Sequence, residues 1–232
     1  MVASPEEADA RVVRLGGRAA LASGVVFLIT IAYTFGFLAS RGLTTDLLNV
    51  PAQLLPWVNA NTFAWVELWW IFTAHLLLLL PVPAALAIVA GSSRASVRVA
   101  TTAGISGAIV GMAAAMVIAA TAPALGRAAV NNPPALLPNV LLVSELAGSF
   151  ALHLRLLSYL LFSVWLTITG LVLIRTPGWR ALSVAQLAVS ALTLVVLVAK
   201  PFDWLDLEPS LGFFFALVYL WLGVALLRRT SR

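Results

Sequence analysis

Long, unbroken apolar runs alternate along this chain with short charged interruptions. Ala19 to Ser40 lies between Arg18 and Arg41, Leu68 to Ser93 between Glu67 and Arg94, and Val99 to Gly126 between Arg98 and Arg127. Leu156 to Ile174 lies between Arg155 and Arg175, Ala181 to Ala199 between Arg180 and Lys200, and Pro209 to Leu227 between Glu208 and Arg228. A helix rises about 1.5 Å per residue, so a hydrocarbon core of about 30 Å takes roughly 20 apolar residues. The pattern predicts six membrane-spanning helices, at about 19–40, 63–90, 99–123, 151–174, 181–199 and 210–227. A membrane β-barrel would instead show alternating segments of about ten residues.

The expected fold class is all-α: a polytopic membrane protein built as one six-helix transmembrane domain, residues 19–227. An N-terminal tail of 1–18 and a C-terminal tail of 228–232 flank it. The first run exceeds the roughly 7–15 apolar residues of a secretory signal and is expected to remain as an anchor.

Composition strengthens this reading. The chain of 232 residues is 62% hydrophobic and 10% charged, against about 25% charged in a soluble domain. Its net charge of +5 would suit nucleic acid, but the positions of the charges explain it without any. Arg11, Arg14, Arg18, Arg94, Arg98, Arg175, Arg180, Arg228, Arg229 and Arg232 fall on one side of the expected membrane. Arg41, Arg127, Arg155 and Lys200 fall on the other. Short loops rich in arginine and lysine stay in the cytoplasm, so both termini are expected there. The preference for arginine over lysine, with abundant Ala, Leu and Gly, suggests a GC-rich bacterial genome, so the expected location is a bacterial inner (plasma) membrane. There is no cysteine, which removes disulfides and thiolate chemistry.

Tryptophans gather at the expected outer ends: Trp57, Trp65, Trp69, Trp70 and Trp204. They read as an interfacial belt, with a platform for a ligand or partner as the alternative. Pro81 and Pro83 predict a kink in span two. Gly104, Gly107 and Gly111 give span three a small-residue face for close helix packing, internal or across a homodimer. The outer segment from Arg41 to Thr62, with Pro51 and Pro56, reads as a long loop. No internal repeat is apparent.

Ionisable groups inside a span mark a functional site by default, because placing them there is costly. Glu67 and His75 share one face of span two. Arg155, Tyr159, Ser163 and Thr167 recur every fourth residue of span four, with His153 just before them. The expectation is that spans two and four are neighbours, that Glu67 and Arg155 lie within reach of one another, and that the stripe faces the same interior as His75. Simple ion pairing, or snorkelling to the interface, is the structural alternative. His75 and His153 are the residues an axially ligated haem would use. No metal site, phosphate loop or nucleophile elbow is legible.

Several features together carry a resemblance: an arginine-led first span (Arg14 to Gly36), a fourth span opening with Leu152-His153 and closing with Leu173-Ile174-Arg175, and the turn Thr176-Pro177-Gly178-Trp179 before a small-residue fifth span. This layout resembles an uncharacterised bacterial family of six-helix membrane proteins, a domain of unknown function. The resemblance implies a fold and no activity.

The function expected is that of a non-enzymatic accessory or binding subunit, with the lipid bilayer and other membrane subunits as partners and no cofactor specified. The alternatives are a small proton-coupled transporter or carrier with a polar site in the outer half of the bilayer, and a haem- or quinone-binding redox protein.

Overall fold

A computed structural model describes residues 4–200 and 208–230, and every regular element among them is helical. Helix α1 (Pro5–Ala32) runs on into a π-helical turn (Tyr33–Leu38). Two short helices follow, α2 (Thr45–Leu48) and α3 (Pro51–Ala60). Helices α4 (Thr62–Leu79) and α5 (Pro81–Ala90) are two halves of one span. Then come α6 (Ala95–Asn131), α7 (Leu137–Leu173), α8 (Arg180–Ala199) and α9 (Glu208–Thr230). Six helical stretches are long and apolar enough to cross a membrane: Glu6–Leu38, Thr62–Ala90, Ala95–Asn131, Pro134–Leu173, Arg180–Ala199 and Leu211–Arg229.

The spans form a closed ring. Each packs on its neighbours in sequence, and α9 returns to α1. Cross-helix partners run in opposite directions at each seam, as with Ser23–His75 and Tyr33–Glu67 between α1 and α4. A ring in which every neighbour is antiparallel closes only with an even number of helices, and six satisfies this. Across the ring, spans two and four meet through α5 and α7.

Small residues set the closest approaches. A Cβ at Gly104 would stand 2.8 Å from Pro83 and 3.0 Å from Trp165; one at Gly111 would stand 2.9 Å from Leu76 and from Ser158 Oγ. A second glycine seam, unread in the sequence, joins α1 to α9: a Cβ at Gly223 would meet the Gly17 carbonyl and the Leu21 amide at 2.8 Å. The α7–α8 seam is polar instead. Thr167 and Ser190 hydroxyls lie 2.7 Å apart, and Ser190 donates to the Ser163 carbonyl at 3.0 Å. Such bonds average about 0.6 kcal/mol each in a membrane protein, so apolar packing carries most of the stability.

Span two breaks where the prolines stand. Pro81 has no N–H for the Leu77 carbonyl, which takes the Leu80 amide instead at 3.3 Å. The short connections turn at Gly91 and Gly178, whose φ of 91° and 79° suits glycine.

Three boundaries differ from expectation. The N-terminal tail is helical from Pro5, held by a capping box between Ser4 and Glu7, and Val13 is already buried. Helices α6 and α7 have 37 residues each, about 55 Å, so both outrun a hydrocarbon core. The expected loop after Arg41 is helical in α2 and α3: Pro51 opens α3 at its first position, and Leu55 and Val58 are buried. Trp204, read with the outer tryptophans, lies outside the described residues.

Candidate functional site

A cavity of about 460 Å³ lies among α1, α3, α4, α6 and α7. Its wall is largely aromatic and aliphatic: Phe27, Leu54, Trp65, Leu68, Trp69, Phe72 and Ile118 line it. Helices α2 and α3 cover one end, contributing Thr45, Leu48 and Leu54. Ser144, Ala147 and Gly148 form the α7 side, where their small size makes the room. Below it, a narrow pocket of about 20 Å³ shares Phe27, Trp69, Phe72, Arg155 and Tyr159 and reaches His75 and Tyr219. That is space for about one water.

Arg155 and Tyr159 thus stand at the junction of chamber and pocket, and Lys200 lines the chamber. These two cations are the charged side chains on the chamber wall among the described residues. Trp57, Trp65, Trp69 and Phe72 form an edge-to-face ladder, with centroids 6.2, 5.9 and 6.0 Å apart. The indole nitrogens of Trp65 and Trp69 are buried with no hydrogen-bond partner among the described residues. A buried donor left unpaired costs about 1–3 kcal/mol. Of the tryptophans read as a belt, Trp65 is therefore an interior residue and Trp69 lines the cavity, whereas Trp70 is exposed.

Other polar candidates go elsewhere. Glu67 lines neither cavity; its carboxylate accepts the Tyr33 hydroxyl at 2.5 Å across the α1–α4 seam. It therefore serves α1, while Arg155 serves the cavity. His75 is buried against the same helix. Ser23 donates its hydroxyl to the His75 carbonyl at 3.1 Å, and His75 Nδ1 lies 2.8 Å from Ser23 Oγ and 3.3 Å from the Ser23 carbonyl. A carbonyl only accepts, which assigns the ring proton to Nδ1. The ring stacks on Phe27 at 4.2 Å.

His153 is exposed on α7, with Nδ1 2.7 Å from the Ser149 carbonyl, and does not converge with His75. The polar stripe of span four also divides. Four residues turn a helix about 400°, so each step drifts about 40°. Arg155 and Tyr159 face the cavity, Thr167 has rotated onto α8, and the Ser163 hydroxyl is buried with no hydrogen-bond partner among the described residues. Ser158, outside the stripe, lines the deep pocket and donates to the Gly107 carbonyl at 2.7 Å. Among the described residues, no three His, Asp or Glu side chains come together.

What this arrangement can do is hold a molecule with an apolar body and a polar head, because the wall combines a large apolar area with a few hydrogen-bonding groups. No protein-family model matches the chain, and comparison with curated proteins and with solved structures finds no match either.

Proposed function

We propose that this chain is a non-enzymatic polytopic protein of the bacterial inner membrane, with both termini cytoplasmic, that binds an amphipathic small molecule in the chamber beside Trp65, Trp69 and Arg155. The observation that carries this reading is the chamber itself. Its volume of about 460 Å³ falls within the range of about 300–1,000 Å³ typical of small-molecule sites. The distribution of arginine supports the orientation, which turns the α2–α3 end and the chamber outward.

The test uses Gly148. It lines the chamber, and a Cβ built there meets nothing within 4 Å. Gly148→Phe should fill the chamber without straining the fold. Wild type and variant are purified gently, and their bound small molecules are extracted and identified by mass spectrometry. The wild type should carry an amphiphile that the variant lacks, with unfolding midpoints alike. Equal recovery from both would overturn the reading.

A further inference from the structure

We infer that a cleft at the opposite end of the bundle, between the α5–α6 turn and the end of α7, holds the phosphate of an anionic membrane lipid. The inference needs nothing of the chamber and takes from the preceding section only that the bundle spans a membrane. The cleft has a volume of about 790 Å³. Residues 88–91 and Arg94 form one side; residues 171, 172 and 174–176 form the other. Its walls are graded. Ile88, Leu171 and Val172 belong to the last apolar turns of their spans, where acyl chains lie, and Leu171 is exposed. Arg94 and Arg175 follow them at the charged edge of the apolar runs, where lipid head groups begin.

Both arginines are exposed, and neither side chain has an ion pair or hydrogen bond among the described residues. The groups that oppose an anion have to be counted against them. Helices α5 and α7 both end at the cleft, and each C-terminus carries about half a negative charge. Two such ends against two full guanidinium charges leave the cleft about one unit positive. Thr176 adds a hydroxyl that can donate or accept, and no carboxylate lines the wall. Glu6, Glu7 and Asp9, at the start of α1, line neither this cleft nor the adjoining one of about 600 Å³, which shares Ile174, Arg175 and Thr176 and adds Arg180. Arginine at this end is expected of any chain oriented by its basic loops, so charge alone would make no site. What makes one is that Arg94 and Arg175 come from different connections into a single cleft that is apolar on its membrane side. Guanidinium forks match phosphate oxygens bidentately, and basic pockets between spans suit lipid head groups.

The intact protein is delipidated in a non-ionic detergent, and bound lipid is counted by native mass spectrometry. Dioleoyl phosphatidylglycerol and dioleoyl phosphatidylethanolamine are titrated separately, and inorganic phosphate is added as a competitor. Arg94→Gln and Arg175→Gln each remove a cation of the cleft. Arg98→Gln removes an equally exposed one on α6 that lines neither cleft. Phosphatidylglycerol should bind the wild type about tenfold more tightly than phosphatidylethanolamine, and each cleft variant should lose about that factor. Arg98→Gln should bind as the wild type does, and so should Gly148→Phe, so this site and the chamber stand or fall separately. Unfolding midpoints without lipid should be alike in all of these proteins, and the wild-type preference between the two lipids needs no variant. Equal binding of phosphatidylethanolamine would overturn the anionic head. Equal losses in Arg94→Gln, Arg175→Gln and Arg98→Gln would reduce the effect to the general attraction of a basic surface for anionic lipid, and the site would fall. Displacement of the lipid by millimolar inorganic phosphate would make this a site for phosphate from water and overturn the lipid assignment.

Discussion

Ser23 and His75 clasp the first two spans to each other through a reciprocal pair of bonds: the serine hydroxyl donates to the histidine carbonyl at 3.1 Å, and the imidazole Nδ1 lies 2.8 Å from that same hydroxyl. Both residues are buried. Removing the hydroxyl leaves the buried imidazole only its longer contact to the Ser23 carbonyl, so Ser23→Ala should cost about 1–3 kcal/mol, toward the low end. His75→Phe removes the polar ring, keeps an aromatic face for Phe27, and leaves the serine its backbone acceptor. It should be the milder change. Reversible unfolding in mixed micelles measures both. A more severe loss from His75→Phe would mean that the imidazole has work beyond this clasp.

The α1–α9 seam should be intolerant of a single methyl. At Gly223 the added carbon would press on the Gly17 carbonyl and the Leu21 amide, both at 2.8 Å, and backbone cannot swing aside as a side chain can. Gly223→Ala should destabilise by about 1–3 kcal/mol through overpacking. At Gly148 the same change meets open space and should leave stability unchanged. Thermal unfolding of the two variants in one detergent provides the comparison, and equal midpoints would show that the seam relaxes.

Orientation can be read with single cysteines, because the native chain has none. Ser92 and Asn132 are both exposed, in connections at opposite ends of the bundle. With cytoplasmic termini, an impermeant thiol reagent should label Asn132→Cys in intact cells and reach Ser92→Cys only after lysis. The reverse pattern would invert the protein and turn the chamber toward the cytoplasm.

The six spans were legible because charges cannot sit in hydrocarbon and therefore bracket each run. The same reasoning hid the true helix ends. A gap between charges measures the apolar stretch, and α6 continues through Arg127 to Asn131. Helix α3 was hidden by its prolines: Pro51 occupies a first-turn position that needs no N–H, and only tertiary burial of Leu55 and Val58 shows why Pro56 is tolerated farther in. The candidate site was legible in part. Arg155 and Tyr159 do line the space that reaches His75. Glu67 was assigned to the wrong neighbour, since a carboxylate on span two can be met from span one as readily as from span four. Tyr33, its donor, lies in a π-helical turn that no local pattern announced.

That turn yields the last prediction. Tyr33 opens the π-helical stretch, and its hydroxyl donates to Glu67 at 2.5 Å. Phe37 packs beside the Tyr33 ring at 4.8 Å, and the Arg41 guanidinium caps Phe37 at 4.6 Å. Widened helical turns of this kind occur often at functional positions, and here the widening coincides with the bond that ties α1 to α4. A hydrogen bond to a charged group contributes about 1.5–3 kcal/mol, and partial exposure of this pair places it at the low end. A double-mutant cycle with Tyr33→Phe and Glu67→Gln should therefore give a coupling energy of about 1.5 kcal/mol. Tyr33→Phe alone should be destabilising, because it leaves the carboxylate without its donor. It should matter less once Glu67 is already glutamine. If the two effects simply add, the bond contributes nothing to stability, and backbone packing alone holds the turn against α4.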